Sequence, residues 1–373
     1  MTIDADKRNG ELKLFGPEML PDPYPVYHRL RDANPVYRDA HLDAWVVTSY
    51  EEVSAGLRNV QLSSERYVRF KQRLATKGIE IPLEERHVSL INRDPPDHTR
   101  LRALINKAFT PRAVDAMQAR IQQIVDELLD AIQAHGRMDV IEDLAYPLPV
   151  IVIAEMLGVP PEDRKLFKDW SNEMSLVVGR GDVAAVPKEV LFRAAEARKE
   201  LVEYFRSVLA RRRAGKGQGL LSALAEAEES GGRLNEDELY STAVLLLIAG
   251  NETTTNLIGN GMLALLRHPE QMRRLWQDES LVPSAVEEML RYDSPVQLTS
   301  RMAKANVTMH DSTIGQGEGV ILLLGAANRD PARFADPDRF DVGRADNKHV
   351  AFGGGPHFCL EAVIDLRTAD SSC

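Results

Sequence analysis

The segment 352–359 reads FGGGPHFC and ends on Cys359, one of the two cysteines in the chain. Three consecutive glycines let the backbone adopt positive φ angles and approach a flat ligand closely. Backbone N–H groups near the sulfur would favour the thiolate, which is the metal-binding form of cysteine. Because no CxxC or HExxH spacing accompanies Cys359, the residues argue against zinc and favour an axial ligand of haem iron. The alternative is a flexible loop beside a buried structural cysteine.

Residues 249–255, AGNETTT, interrupt the apolar pattern of the proline-free run 234–267. As a helix this run would span roughly 50 Å, enough to cross a whole domain. Glycine and three consecutive threonines are poor helix formers and would weaken its middle. A polar notch in a buried helix predicts a site. The alternative is a partly exposed stretch in which the threonine hydroxyls merely bond backbone carbonyls.

Glu288 and Arg291 stand three residues apart, which places an acid and a base on one helix face. Pairs of this kind are common on solvated helix surfaces, and that is the alternative here. The later Arg301 and the segment 328–340, which is rich in arginine and aspartate, favour a buried network around the pair.

His98 and Arg102 follow the segment DPPD at 94–97 and are spaced to share one helix face. Proline before the helix and Asp97 at its start are typical of a helix N-terminus. The two side chains could grip an anionic group; the alternative is a satisfied surface pair.

These segments must be positioned by a mainly helical, α+β fold. The patterns predict helices at 22–31, 114–134, 151–157, 194–213, 234–267 and 283–292, and strands at 35–38, 44–48, 306–309 and 320–324. No repeat or linker divides the sequence, so one domain is expected, with a large helical body and small sheets.

Composition excludes several classes of protein. The formal net charge of −10 argues against a chain that binds nucleic acid, because phosphate contacts need a basic surface. Two cysteines exclude a disulfide framework and favour a reducing cytoplasm. The polar start of the sequence and its short apolar runs predict neither a signal peptide nor a membrane span. We therefore expect a cytoplasmic protein, with a monomer as the default oligomeric state.

The four segments, in this order, resemble the cytochrome P-450 family of haem-thiolate monooxygenases. Residues 249–254 are similar to the oxygen-activating segment of the family's long helix, and Glu288 with Arg291 to its Glu-x-x-Arg motif. The stretch 328–340 is similar to the following meander, and 352–359 to the cysteine-ligand loop. The resemblance runs from about residue 21 to residue 360 and is to the bacterial, soluble members.

The resemblance implies haem b as cofactor, with Cys359 as the proximal iron ligand. Phe352 would pack beside the sulfur, and Gly250 would keep the long helix thin where O2 binds. Glu252 and Thr253 would relay protons. Four cations would hold the haem propionates: His98, Arg102, Arg301 and His357. A buried network would include Glu288, Arg291 and Arg339.

The resemblance also implies a substrate and partners. A small lipophilic substrate would lie over the distal haem face under a lid supplied by the irregular region 62–90. Apolar residues would contact it: Val244, Ile248, Val296 and Leu298. No reductase domain is encoded, so separate electron donors are implied, ferredoxin with its reductase or a flavodoxin-type protein, docking through local basic clusters.

The sequence departs from the family pattern directly after the ligand cysteine. Glu361 stands where the family usually has glycine, and only residues 360–373 follow Cys359. A family member would continue through a haem-packing helix and a terminal strand pair. We therefore expect one domain over 1–373 whose tail, 361–373, is divergent, from a frameshift or a truncated gene. The alternative to an active oxygenase is a remnant or scaffold that lost activity or haem with its carboxy terminus.

Overall fold

The fold is taken from a computed structural model of the chain. The structure describes residues 14–16, 19, 21–75, 78–79, 89–108, 111–177, 186–213, 219–229, 232–360 and 362. Much of the predicted tail, Glu361 and residues 363–373 including Cys373, lies outside these residues, as do 76–77 and 80–88 of the predicted lid.

Helices form most of the described chain. They are α1 Tyr24–Ala33, α2 Tyr50–Arg58, α3 Tyr67–Ala75, α4 Asp97–Ala108, α5 Pro111–Gln133, α6 Pro147–Leu157, α7 Arg164–Ser175, α8 Lys188–Arg213, α9 Leu220–Glu226, α10 Glu236–Arg267, α11 Pro269–Gln277, α12 Val282–Tyr292 and α13 Leu324–Asn328. Several begin at proline, whose fixed φ suits the first helical turn. The six predicted helices are all present, and the mainly helical fold class is confirmed.

Strands are short and form small sheets. They are β1 Val36–Asp39, β2 Ala44–Val47, β3 Leu62–Ser63, β4 Glu228–Glu229, β5 Gly232–Arg233, β6 Thr299–Ala303, β7 Val307–Met309, β8 Ser312–Ile314 and β9 Gly319–Leu322. The largest sheet has the order β1-β2-β9-β6-β3. Its β2–β9 pair is parallel, whereas its β1–β2, β9–β6 and β6–β3 pairs are antiparallel. The predicted early strand pair is therefore present, and its second strand pairs with one of the late strands.

The five-stranded sheet is buried on both faces. Val46 and Ile321 point toward a cluster that contains α1, whereas Val47 and Leu322 point toward one that contains α2. This alternation follows from the two-residue period of a strand. A separate and larger hydrophobic core joins α4 and α6–α10.

Helix α10 runs unbroken through residues 249–255, although the sequence predicts local weakening there. Its start is fixed by a capping box, in which the Asn235 side chain accepts from the Glu238 amide and the Glu238 carboxylate accepts from the Asn235 amide. Thr253 and Thr255 donate their hydroxyls to the carbonyls four residues upstream. These bonds keep the hydroxyls satisfied without interrupting the helix.

One local prediction differs from the structure, and one local feature was not predicted. The region 62–90, expected to be irregular, contains β3 and α3 where it is described. A π-helical turn at Val140–Ala145 precedes α6, and no sequence pattern indicated it. Within the described residues, no helix is both long and apolar enough to cross a membrane.

Candidate functional site: a thiol-bearing cavity with a cationic wall

The cysteine loop is a tight turn held by its own backbone. Gly353 and Gly355 have φ angles of 73° and 64°, the left-handed region in which glycine carries no steric penalty. A Cβ atom on Gly355 would lie 2.7 Å from the carbonyl oxygen of Leu57 on α2. The amide of Cys359 donates to the Phe352 carbonyl over 2.9 Å, so this N–H closes the loop instead of pointing at the sulfur.

A cavity of about 290 Å³ lies between the helical body and the five-stranded sheet. Cys359, Phe352 and Gly353 form one part of its wall, and Thr253, Thr254 and Leu257 of α10 form another. Its remaining lining residues are Leu57, Arg66, Ile91, Leu290, Pro295, Val296, Thr299, Arg301, Leu324, Ala351 and His357. Residues predicted from distant parts of the sequence therefore meet around one space.

The predicted acid and hydroxyl on α10 are placed differently. Thr253 faces the cavity, with its hydroxyl donated to the Ala249 carbonyl at 2.6 Å. Glu252 is half-buried and is not among the residues that line the cavity, and Gly250 is buried. No sequence pattern indicated the neighbouring contact, in which the buried Asn251 donates its side-chain amide to the Ser171 hydroxyl on α7 at 2.7 Å.

Basic side chains gather beside β6: Arg66, Arg301 and His357 line the cavity, whereas His98 contacts the His357 ring and is not among the lining residues. The His98 and His357 rings stand 4.1 Å apart, and His98 is 3% exposed. The ring Nε2 of His98 is buried and has no hydrogen-bond partner among the described residues. Arg301 of β6 lines the cavity, and so does Arg66, which sequence reasoning missed because it lies in the segment expected to be an irregular lid.

Burial and neighbouring positive charges lower the pKa values of the basic groups at this wall. Burial, together with the charges of His98, Arg301 and Arg66, lowers the pKa of His357 to about 3. Burial and the neighbouring Arg102 lower the pKa of His98. Burial and Arg66 lower the pKa of Arg301 to about 10. The protonated forms of these groups are therefore unfavourable without a partner. An anion bound at the wall would stabilise them, because opposite charge favours the charged form.

Arg102, predicted with these cations, contacts the cysteine loop. Its guanidinium donates to the Phe358 carbonyl over 2.8 Å, one residue from Cys359. It does not belong to the residues that line the cavity. Arg102 thus links α4 to the loop and places a positive charge near the sulfur.

The predicted acid–base pair belongs to a buried network, but the prediction that the Arg339 side chain joins this network is wrong. Glu288 and Arg291 are both 0% exposed and form two hydrogen bonds, at 2.7 and 2.9 Å. The Arg339 side chain is 62% exposed, and only its carbonyl oxygen contacts Arg291. The second cation on Glu288 is Arg344, whose Nε lies 3.1 and 3.2 Å from the two carboxylate oxygens. Arg344 falls beyond the stretch 328–340, where the sequence motif stopped.

The predicted substrate-contacting residues divide into two groups. Val296 lines the cavity. Val244 and Ile248 pack in the helical core, and Leu298 packs against the cluster around α1. These three residues therefore do not line the cavity, contrary to the prediction.

A family model described as Cytochrome P450 matches residues 59–360 of this chain. The chain belongs to the cytochrome P450 family. It is 42% identical over 363 residues to Cytochrome P450 107B1 of Saccharopolyspora erythraea, covering 95% of this chain and 86% of that relative. This P450 is therefore a monooxygenase, an oxidoreductase whose cofactor is thiolate-ligated haem.

Solved structures give the same fold. The P450 matches CYP109E1 from Bacillus megaterium in complex with testosterone, with TM-score 0.80, 37% identity and coverage of 94% of this chain and 90% of that one. It also matches P450BioI in complex with an acyl carrier protein that carries hexadec-9Z-enoic acid, with TM-score 0.83, 37% identity and coverage of 95% and 91%.

The residues around the cavity of this P450 fit haem. The cavity offers one thiol, from Cys359, between apolar walls, which suits an iron with a single protein ligand. The cationic wall and the orphaned Nε2 of His98 are complementary to the two haem carboxylates. Among the described residues, no cluster of three His, Cys, Asp or Glu side chains offers a different metal site.

Proposed function

We propose that this P450 hydroxylates or epoxidises a small lipophilic substrate with O2. The observation that carries the proposal is one cavity in which Cys359 and Thr253 line the wall together with apolar Leu257, Leu290 and Val296. Haem bound there would supply the iron chemistry that activates O2, with a thiolate ligand favouring O–O cleavage. The apolar wall would bind the substrate and exclude water.

Cys359 is the proposed iron ligand, and its surroundings support a thiolate. Arg102 bonds the adjacent carbonyl; burial lowers the pKa of Arg102, and attraction between its charge and a Cys359 thiolate opposes that shift. Phe352 lies half-buried beside the sulfur, in edge contact with Phe358 at 6.2 Å between ring centroids. Phe352 would limit the access of water to the thiolate, whereas Phe358 is exposed.

Glu252 and Thr253 are the proposed proton donors. The Thr253 hydroxyl proton is held by the Ala249 carbonyl, so delivery into the cavity requires the side chain to turn or to exchange this proton with water. Glu252, the preceding residue and half-buried, would restore the proton from the outer side. Gly250 lies on the same turn of α10, and the absence of a side chain there would keep the helix thin where O2 binds.

His98, Arg301 and His357 are the proposed partners of the haem carboxylates, with Arg102 beside them at the loop. Neutral imidazole N–H groups and the Arg301 guanidinium are all hydrogen-bond donors. Bound carboxylates would also raise the lowered pKa values of this wall, because opposite charge favours the protonated forms.

The relatives support a lipophilic substrate of the size of a steroid or a fatty acyl chain. One solved relative holds testosterone, and another is bound to a fatty-acyl acyl carrier protein. A lipophilic library should be titrated into the purified protein and scored by the spin-state shift of the haem. Steroids and long-chain acyl compounds are expected to produce the shift.

Separate redox proteins are the proposed electron source. Bacterial members of the family use such partners, and ferredoxin with its reductase or a flavodoxin-type protein would serve here. Turnover of a substrate found by titration should depend on NAD(P)H together with such a donor pair. Equal turnover with hydrogen peroxide and no donor would instead indicate a peroxygenase.

The monooxygenase proposal is tested by the spectrum of the reduced protein with carbon monoxide. Thiolate-ligated haem shifts the Soret band far to the red, and we expect this shift in the wild-type protein. Cys359→Ser should abolish it, whereas Cys373→Ser should leave it unchanged. A wild-type protein that contains no haem, or that gives an unshifted band, would support the haem-deficient remnant instead.

A further inference from the structure

Arg66 holds a fixed place on the cationic wall of the cavity. It lies between β3 and α3, and its Nη1 donates to the Ser300 carbonyl of β6 at 3.0 Å. A longer contact of 3.4 Å joins the same nitrogen to the Thr299 hydroxyl. The guanidinium is therefore pinned to β6 and lines the same cavity as Arg301 and His357.

The charge of Arg66 is not balanced by Asp94, the acid that acts on the neighbouring Arg301 and His357. Asp94 acts electrostatically on both Arg301 and His357. Its carboxylate, however, accepts hydrogen bonds from the Ser64 amide at 2.9 Å and from the Lys304 ammonium at 3.1 Å. Burial lowers the pKa of Arg66, yet a guanidinium stays protonated at neutral pH. Two arginines thus face one cavity wall in electrostatic contact.

Like charges side by side in a partly buried wall, with Arg66 half-buried and Arg301 buried, are costly unless an anion joins them. The cofactor that fits this cavity brings two carboxylates, and planar guanidinium groups match carboxylates with paired N–H donors. We propose that Arg66 binds a haem propionate together with Arg301 and His357, as a positioning residue that sets how firmly the cofactor is held. This inference rests on the proposed function.

The first readout is haem release from the holoenzyme to an excess of haem-free myoglobin. Arg66→Gln should release haem about tenfold faster than wild type or more, since a hydrogen bond to a charged group is lost. Arg66→Lys keeps the charge but loses the planar fork, so its rate should fall between the two. Arg58→Gln is the matched control, because Arg58 is exposed and bonds Ser54 within α2; its rate should equal that of wild type.

The second readout separates carboxylate binding from simple loosening of the wall. The propionate bending vibration in the resonance Raman spectrum should shift in Arg66→Gln and remain in place in Arg58→Gln. Faster release with an unshifted vibration would overturn the proposal, as would unchanged release. The carbon monoxide spectrum of the wild type reports on the monooxygenase proposal separately, so the two failures are distinguishable.

Discussion

The Thr253 hydroxyl has two roles, a hydrogen bond within α10 and the proposed delivery of protons to the cavity. Its proton is satisfied by the Ala249 carbonyl, which keeps α10 intact, and its side chain still faces the cavity. A threonine is therefore compatible with the helix at rest and available for proton delivery. Alanine removes this hydroxyl and is itself a strong helix former, so the substitution tests proton delivery at little cost to the helix.

We expect Thr253→Ala to keep haem and fold while losing coupling between electron consumption and product. Without the hydroxyl, proton delivery becomes less specific, and we expect product formation to fall about tenfold or more. The check is the ratio of product to NAD(P)H consumed, with hydrogen peroxide measured as the uncoupled product. Thr255→Val is the control, because its hydroxyl bonds the Ala145 and Asn251 carbonyls away from the cavity. Equal losses in the two variants would contradict the assigned role.

The cysteine loop and α2 form the element that presents the thiol. The loop packs so closely on α2 that backbone meets backbone at Gly355 and Leu57. Its geometry therefore depends on a position without a side chain, and this dependence can be measured.

Gly355→Ala should destabilise the loop, because alanine would carry a φ of 64° and place its Cβ 2.7 Å from the Leu57 carbonyl. We expect a loss of about 1–3 kcal/mol in the free energy of unfolding, together with weaker haem retention. Gly354→Ala is the matched control: its φ is −172°, and its Cβ would meet only the Leu57 side chain at 3.3 Å. Urea unfolding of the holoproteins decides between them, and a Gly354→Ala variant equally damaged would refute the explanation.

The buried network joins α12 to the meander through one carboxylate. Arg344→Met should cost about 2–3 kcal/mol in unfolding free energy, because Arg344 is 12% exposed and bonds Glu288 directly. Arg339→Met should cost less than about 0.5 kcal/mol, since that side chain is largely exposed. Denaturant titrations of the two variants test whether Arg344, rather than Arg339, belongs to the buried network. The reverse order of costs would restore Arg339 to the network.

At the scale of the whole molecule, the cavity separates two parts that have their own cores. The helical core joins α4 and α6–α10, and the sheet has clusters on both of its faces. The lining residues come from both parts, so a bound cofactor would connect them.

Removal of haem should therefore loosen the cavity wall while the helical body persists. Binding to the native state alone stabilises a protein by mass action, and this contribution disappears with the ligand. We expect hydrogen exchange to accelerate first at 299–301 and 351–359 and to stay slow in α7 and α8. Mass spectrometry of apo and holo protein measures this order. Uniform acceleration across the chain would show that the two parts unfold together.

Much of the fold and part of the site were accessible from sequence, for local reasons. The capping box, the three-residue spacing of Glu288 and Arg291, and the glycines before Cys359 each act within a few residues. The start of α8 differed from the prediction by several residues, because amphipathic spacing alone sets no boundary there. Arg66 and Arg344 carried no local signal, because their partners lie far away in the chain.

The sequence by itself determined the mainly helical class, the order of the chemical segments and the candidate thiol, since backbone propensity and short spacings encode these directly. Only the tertiary structure decided which cations share the wall, that Arg344 takes the place predicted for Arg339, and that Val244 and Ile248 belong to the core. Those outcomes depend on packing between α10, the sheet and the loop. Packing brings together residues more than 200 positions apart in the chain, and no local pattern specifies such contacts.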